Sequence, residues 1–323
     1  MRSALPLVTL AAFTTLAGCP GPEAPAATPS ASSTAAALTS SSAPTPSGSS
    51  AAAPSQSHEP GKPYTCGELS CRDFDSAAAA VGAILEESKP ALVAFGESHA
   101  LKGAEVPSTA TRFSNELLPV FKDKASALVL ELWAPDPKCG KEKIKEVEKK
   151  QKVVTDQQAP TNKNEFVVLG EKSREVGIVP FLLKPTCDDF DKVQKAGNDP
   201  VAATLASIDV ITRNMKEKAT TLFDETTKKA PGKMVLTYGG ALHNDLFPKK
   251  DRESWSYAAD LDKLAPGKYV ELDLVVPEYI KDTDAWKSFA WYPAYDKQKM
   301  SGRVVVINVA PRSYTLVFAA TKQ

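Results

Sequence analysis

Histidine is scarce in this chain: of 323 residues only His58, His99 and His243 carry an imidazole, so any site that needs one has few places to be. Charge of one sign is missing as well. Thirty-nine basic and 39 acidic side chains cancel, which removes the positive footprint that non-specific nucleic-acid binding requires, and no nucleic-acid partner is expected. Charge is almost absent from residues 1–62, where only Arg2, Glu23, Glu59 and Lys62 carry any. No long apolar run of the kind that crosses a bilayer is present; the best, over 4–16, falls short of the roughly 20 residues a spanning helix needs. What remains, residues 63–323, has the size of one large α/β domain and enough chain to bury a core.

That short N-terminal run reads as an address. Met1-Arg2-Ser3 gives a positive start, the apolar stretch follows, and Leu16-Ala17-Gly18-Cys19 ends it. Small residues before a cysteine have the pattern of a bacterial lipoprotein signal, with residues 1–18 removed and Cys19 lipidated. Residues 19–62 are almost wholly Ala, Pro, Ser, Thr and Gly, a composition that cannot order itself and suits a disordered tether between the lipid and the folded domain. Pro20 after the lipidated cysteine favours the outer over the inner membrane of the cell envelope.

Setting Cys19 aside leaves Cys66, Cys71, Cys139 and Cys187. An even number outside the cytosol predicts two disulfides, with three possible connectivities. Cys66 and Cys71 flank the short Gly67-Glu68-Leu69-Ser70 loop and are expected to pair, which leaves Cys139 for Cys187. Zinc is the competing reading, but the spacings match no zinc ribbon.

From residue 63 on, short Val- and Leu-rich runs alternate with longer amphipathic stretches. Helices are predicted over 76–87, 108–122, 141–152, 164–176 and 200–229. Strands are predicted over 91–95, 127–132, 178–183, 233–238, 269–275, 303–309 and 314–319. The last two are joined through Ala310-Pro311-Arg312-Ser313 and read as an antiparallel hairpin. Uninterrupted apolar strands alternating with helices predict an α/β fold: a mostly parallel sheet covered by helices on both faces. The charged 141–152 helix, with Glu146–Lys150 and Glu148–Lys152 at helical spacing, is expected to be a solvated face.

Two Gly-x-x-His motifs each follow a predicted strand: Gly96-Glu97-Ser98-His99 and Gly240-Ala241-Leu242-His243. The carboxyl ends of parallel strands are where such sheets bind ligands, and glycine there lets backbone turn or approach a bound group. A third strand carries Glu131 inside the apolar run Leu128-Val129-Leu130-Glu131-Leu132-Trp133. A buried acid must be paired, protonated or bound to a ligand. Glu97, His99, Glu131 and His243 are therefore the candidate catalytic residues, and the candidate ligands of a divalent metal ion.

These motifs resemble the superfamily of ChaN-like haem-binding proteins, erythromycin esterases and Tiki/TraB proteins. Leu92-Val93-Ala94-Phe95-Gly96-Glu97-Ser98-His99 looks like the opening motif of the ChaN-like branch, and the resemblance spans roughly residues 89–245. It implies that Glu97, His99, Glu131 and His243 match the family's functional positions. It also implies a hydrolase, either metal-dependent as in Tiki-type proteases or using histidine and glutamates as in the esterases. ChaN-like members often continue with Asp-Asn and further histidines, whereas Ala100-Leu101-Lys102-Gly103-Ala104 follows here. Haem would then need a tyrosine or methionine ligand.

A serine nucleophile at Ser98 would need a helix to start at once, which Gly103 and Pro107 oppose. Trp286, Phe289, Trp291, Tyr292 and Tyr295 are expected to cover the sheet rather than roof the site, and Trp133 is the better pocket wall. The expected function is a lipid-anchored hydrolase acting on a small-molecule or peptide substrate. The alternative is a lipoprotein that binds a metal, haem or small ligand on the same site without turnover.

Overall fold

Nine strands and the helices between them follow from the Val- and Leu-rich runs, as a computed structural model of the chain shows for residues 58–154, 158–197, 199–300 and 302–321. The signal segment, Cys19 and the tether up to residue 57 lie outside the described residues. Strands β1 (Pro63–Cys66), β2 (Leu69–Phe74), β3 (Leu92–Glu97), β4 (Ala125–Trp133), β5 (Val179–Leu183), β6 (Met234–Gly240), β7 (Tyr269–Val275), β8 (Val304–Ala310) and β9 (Ser313–Val317) form one sheet. Its order is β1-β2-β8-β9-β7-β3-β6-β4-β5. The run from β9 to β5 is parallel throughout, and the β1–β2, β2–β8 and β8–β9 pairings are antiparallel. The predicted α/β sheet with a C-terminal hairpin is present; the N-terminal β1–β2 hairpin, polar and short, was not expected.

Helices cover both faces. On one, α1 (Ala77–Ser88), α2 (Thr109–Arg112) and α4 (Asn162–Glu175) pack with Val93, Phe95, Leu128, Leu130, Leu236 and Tyr238. On the other, α3 (Lys141–Val154), α5 (Cys187–Lys195), α6 (Pro200–Lys229) and α7 (Ala258–Leu264) pack with Leu92, Ala94, Val129 and Val235. Alternate residues of each central strand feed the two cores, the period-2 pattern of a doubly covered sheet. Burial of this kind, about 25 cal/mol per Å² of apolar surface, holds the layers together.

The expected 108–122 helix is broken. Ser108 caps it, its Oγ accepting the Thr111 N–H at 3.0 Å, but after α2 the chain makes a π turn (Phe113–Leu117) and a 3-10 turn (Leu118–Phe121). Pro119 has no N–H and crowds the carbonyl four residues back, so the ladder changes register. Lys150 and Lys152, the expected partners of Glu146 and Glu148, have side chains outside the described residues.

Both disulfides form as expected, Cys66–Cys71 inside the β1–β2 hairpin and Cys139–Cys187 tying the turn before α3 to the start of α5. The domain begins slightly before residue 63: His58 stacks on Tyr64 at 3.7 Å, and Gly61 N–H donates to the Asp73 carbonyl at 2.8 Å. The aromatic group covers the antiparallel end of the sheet, with Trp291 buried against Cys66, Cys71, Val305 and Ile307. Among the described residues no helix is long and apolar enough to cross a membrane.

Candidate functional site

Strands β3, β4 and β6 are neighbours in the parallel part of the sheet, and their carboxyl ends carry the four candidate residues. Glu97 closes β3 and stands in register with Gly240, the last residue of β6. Its side chain lies on the same face as Phe95 and Tyr238. One carboxylate oxygen faces Nδ1 of His99, and the other accepts the Tyr238 hydroxyl. Burial first, then the charge of Glu97, pushes the Tyr238 hydroxyl well above its ordinary pKa, so it remains a proton donor to that carboxylate. Phe166 of α4 packs beside both, 6.1 Å from the His99 ring and 5.5 Å from the Tyr238 ring.

Glu131 lies on the opposite face. It fills the space where Gly239 lacks a side chain: a Cβ there would come within 2.9 Å of Glu131 Cβ. Its Oε2 accepts the Gly240 N–H at 2.7 Å. His243 is fixed from behind, with Nδ1 2.9 Å from the Trp255 carbonyl and 3.2 Å from Thr212 Oγ1, which itself donates to Trp255 at 2.8 Å. Nδ1 is therefore a donor, and Nε2 is the ring atom turned toward Glu131. That atom is 4.0 Å from Glu131 Oε1, and neither has a hydrogen-bond partner.

The four residues therefore form two pairs around the tip of β6, Glu97 with His99 on one face and Glu131 with His243 on the other. Gly240 is common to both pairs. The cause is a register shift. Ala125 of β4 pairs with Met234, but Ala127 pairs with Val235, so one residue of β4 is extra. Leu130 then stands level with Tyr238, and Glu131 falls level with Gly239 instead of Gly240. A one-residue slip turns every later side chain to the other face.

All four side chains are closed in: relative exposure is 2 % for Glu97 and His99, 0 % for Glu131 and 1 % for His243. Among the described residues no group of three His, Cys, Asp and Glu is placed to hold a metal ion. Ser98 does not open a helix; the next one starts at Thr109. Trp133 shares the Glu131 face but packs edge-on against Phe190 at 5.8 Å, inside the core.

A second acidic group went unseen in the sequence. Glu271 and Asp273 lie on β7 next to β3, with Asp273 level with Gly96. Glu271 Oε2 accepts the Leu246 N–H at 2.8 Å, and Asn244 Nδ2 donates to Asp273 Oδ1 at 3.2 Å. These bonds hold down the segment that carries His243. Gly96 serves this packing rather than a turn, since a Cβ there would lie 2.6 Å from Asn244 Oδ1 and from Ala241 Cα. Burial and neighbouring carboxylates push Glu271 and Asp273 well above the ordinary carboxylate range. The signal was available: Glu271-Leu272-Asp273 places two acids on one face of a central apolar strand.

The fold and site thus define a doubly covered α/β protein with two buried Glu–His pairs at the ends of its parallel strands. Comparison with protein-family models, with curated proteins and with solved structures gives no match for the chain.

Proposed function

We propose that the chain is a lipid-anchored hydrolase of the cell envelope that activates water between Glu131 and His243. One observation carries this reading: Glu131 Oε1 and His243 Nε2 are both buried, 4.0 Å apart, and neither has a hydrogen-bond partner. In this scheme Glu131 is the carboxylate and His243 the neutral imidazole, and the molecule between them gives a proton to each. A water about 2.8 Å from each would satisfy both. Nε2 of His243 takes one proton as the water oxygen attacks an acyl carbon, then returns it to the departing oxygen or nitrogen, while Glu131 accepts the other hydrogen and fixes the attack direction. On the other side of the β6 tip, Glu97 orients His99 so that Nε2 can accept an N–H or O–H of the substrate. The likeness of the Gly-Glu-x-His and Gly-x-x-His motifs to the esterase and Tiki-type families supports the same reaction class.

The test uses full-length protein in detergent with p-nitrophenyl acetate, p-nitrophenyl butyrate and a fluorogenic peptide panel, with and without chelator. Turnover that survives chelator and is lost in both His243→Ala and His99→Ala is the expected result; turnover indifferent to both substitutions rejects the reading.

The near-complete burial of the four side chains favours a second reading, in which the same site binds a small ligand or metal without turnover. Elemental analysis of the purified protein, together with an absence of hydrolysis across the panel, would support it.

A further inference from the structure

Asn244, the residue after His243, is 1 % exposed, and its side-chain oxygen Oδ1 has no hydrogen-bond partner. The amide is oriented from its other end. Nδ2 donates to the Ala94 carbonyl at 3.3 Å and to Asp273 Oδ1 at 3.2 Å, so turning the amide over would set Oδ1 against the Ala94 carbonyl. Gly96 shows where the orphan oxygen lies: a Cβ on it would come within 2.2 Å of Asp273 Oδ1 and 2.6 Å of Asn244 Oδ1. Amide oxygen and carboxyl group are therefore neighbours in the gap that Gly96 leaves. A carboxylate there offers the amide oxygen only another acceptor. A carboxylic acid offers it an O–H, and amide and acid then bond each other in both directions.

The surroundings favour the acid. Around Asp273 stand Gly96 of β3, Thr315 of β9, Asn244 and Asp245 of the segment after β6, and Glu271 two residues back on its own strand. Tyr257 and Tyr269 also feel its charge. None of these is a cation. Arg312 is committed to Asp262 and the Tyr269 carbonyl, Lys263 of α7 pairs with Asp260, and Arg252 acts on Asp245. Burial first, then the charge of Asp245, raises the Asp273 carboxyl to about 8. What Asp273 does to Asn244 reaches the site at once, because His243 is the next residue back, its carbonyl accepting the Tyr257 N–H at 2.9 Å while the Asn244 carbonyl accepts the Tyr269 hydroxyl at 2.8 Å.

We propose that Asp273 is a positioning residue that holds His243 through Asn244, and that loss of its carboxyl proton to solvent releases the imidazole from its place beside Glu131. The consequence for turnover rests on the hydrolase reading; the latch itself is read without turnover. Full-length protein in detergent, labelled with ¹⁵N-histidine, is titrated from about pH 6 to about pH 9.5, following the ring nitrogens of His243, which are identified by their loss in His243→Gln. A step centred near pH 8 is expected in the wild type. Asp273→Asn supplies an N–H where the acid supplied its O–H, so the step should vanish. Asn244→Ala cuts the connection and should abolish it too; melting temperatures report which variants fold. A wild type without the step overturns the proposal before any variant is made, as does a step that persists in either folded variant. Hydrolysis of p-nitrophenyl acetate is followed over the same range. Its rate should fall about tenfold between pH 7 and pH 9, in proportion to the protonated fraction of Asp273, and less than about twofold in folded Asp273→Asn. The step in a protein that hydrolyses nothing would sink the hydrolase reading and leave the latch standing, whereas hydrolysis in a protein without the step would do the reverse.

Discussion

Glu131 Oε1 and His243 Nε2 look at each other across 4.0 Å in the interior, and neither has a hydrogen-bond partner. Replacing Glu131 with glutamine keeps the shape and adds an N–H donor that can point at Nε2. The variant should melt at or above the wild-type temperature and lose hydrolysis of p-nitrophenyl acetate by about 10²–10⁴-fold, the usual contribution of a positioned proton-transfer group. A stable variant with full activity would remove Glu131 from the chemistry.

Gly239 leaves the space that Glu131 occupies. Gly239→Ala should cost about 1–3 kcal/mol in urea unfolding, the typical penalty for overpacking, and should displace Glu131 from the Gly240 N–H. An unchanged unfolding midpoint would show that the strands can separate without loss.

The two disulfides should differ in weight. Cys139 and Cys187 are 48 residues apart, and in the chain-entropy account that loop corresponds to about 4 kcal/mol; Cys66 and Cys71, separated by 5, correspond to about 2 kcal/mol. Paired Cys→Ala variants measured by chemical unfolding should therefore rank in that order. The reverse ranking would mean that the hairpin crosslink matters through native contacts rather than through the unfolded chain.

Asp273 keeps its proton far longer in the folded protein than in the unfolded chain, to about 8, because it is buried and then because Asp245 is near. An acid raised in this way stabilises the fold at low pH, and that contribution is lost as pH rises through the folded value. Stability should fall between about pH 4 and pH 8, by up to ~1.4 kcal/mol per pH unit for each proton retained. Asp273→Asn should flatten that stretch of the profile. A profile equally steep in the variant would assign the effect elsewhere.

The sheet and its helices were legible because the runs that build β3, β4, β6 and β7 are mostly apolar and bounded by polar stretches. The β8–β9 hairpin was legible from two Val- and Tyr-bearing runs joined by four residues. Strands β1 and β2 were hidden, since Arg72 and Asp73 interrupt any apolar pattern. The 108–122 stretch has a helical pattern, but Pro119 breaks its hydrogen-bond ladder. All four site residues do stand at strand ends, but their division into two pairs follows from the extra residue between Ala125 and Ala127, and nothing in Ala125-Ser126-Ala127 announces it.

Strand β6 enters the sheet between β3 and β4 although it leaves the ribosome about a hundred residues after β4 is complete. Until then β3 and β4 have no partner between them and offer two open edges, the kind of surface on which other extended chains can add. A protein that crosses a membrane before folding would carry that gap through export. Nascent or truncated chains ending before Gly240 would contain both glutamates but neither a closed sheet nor His243.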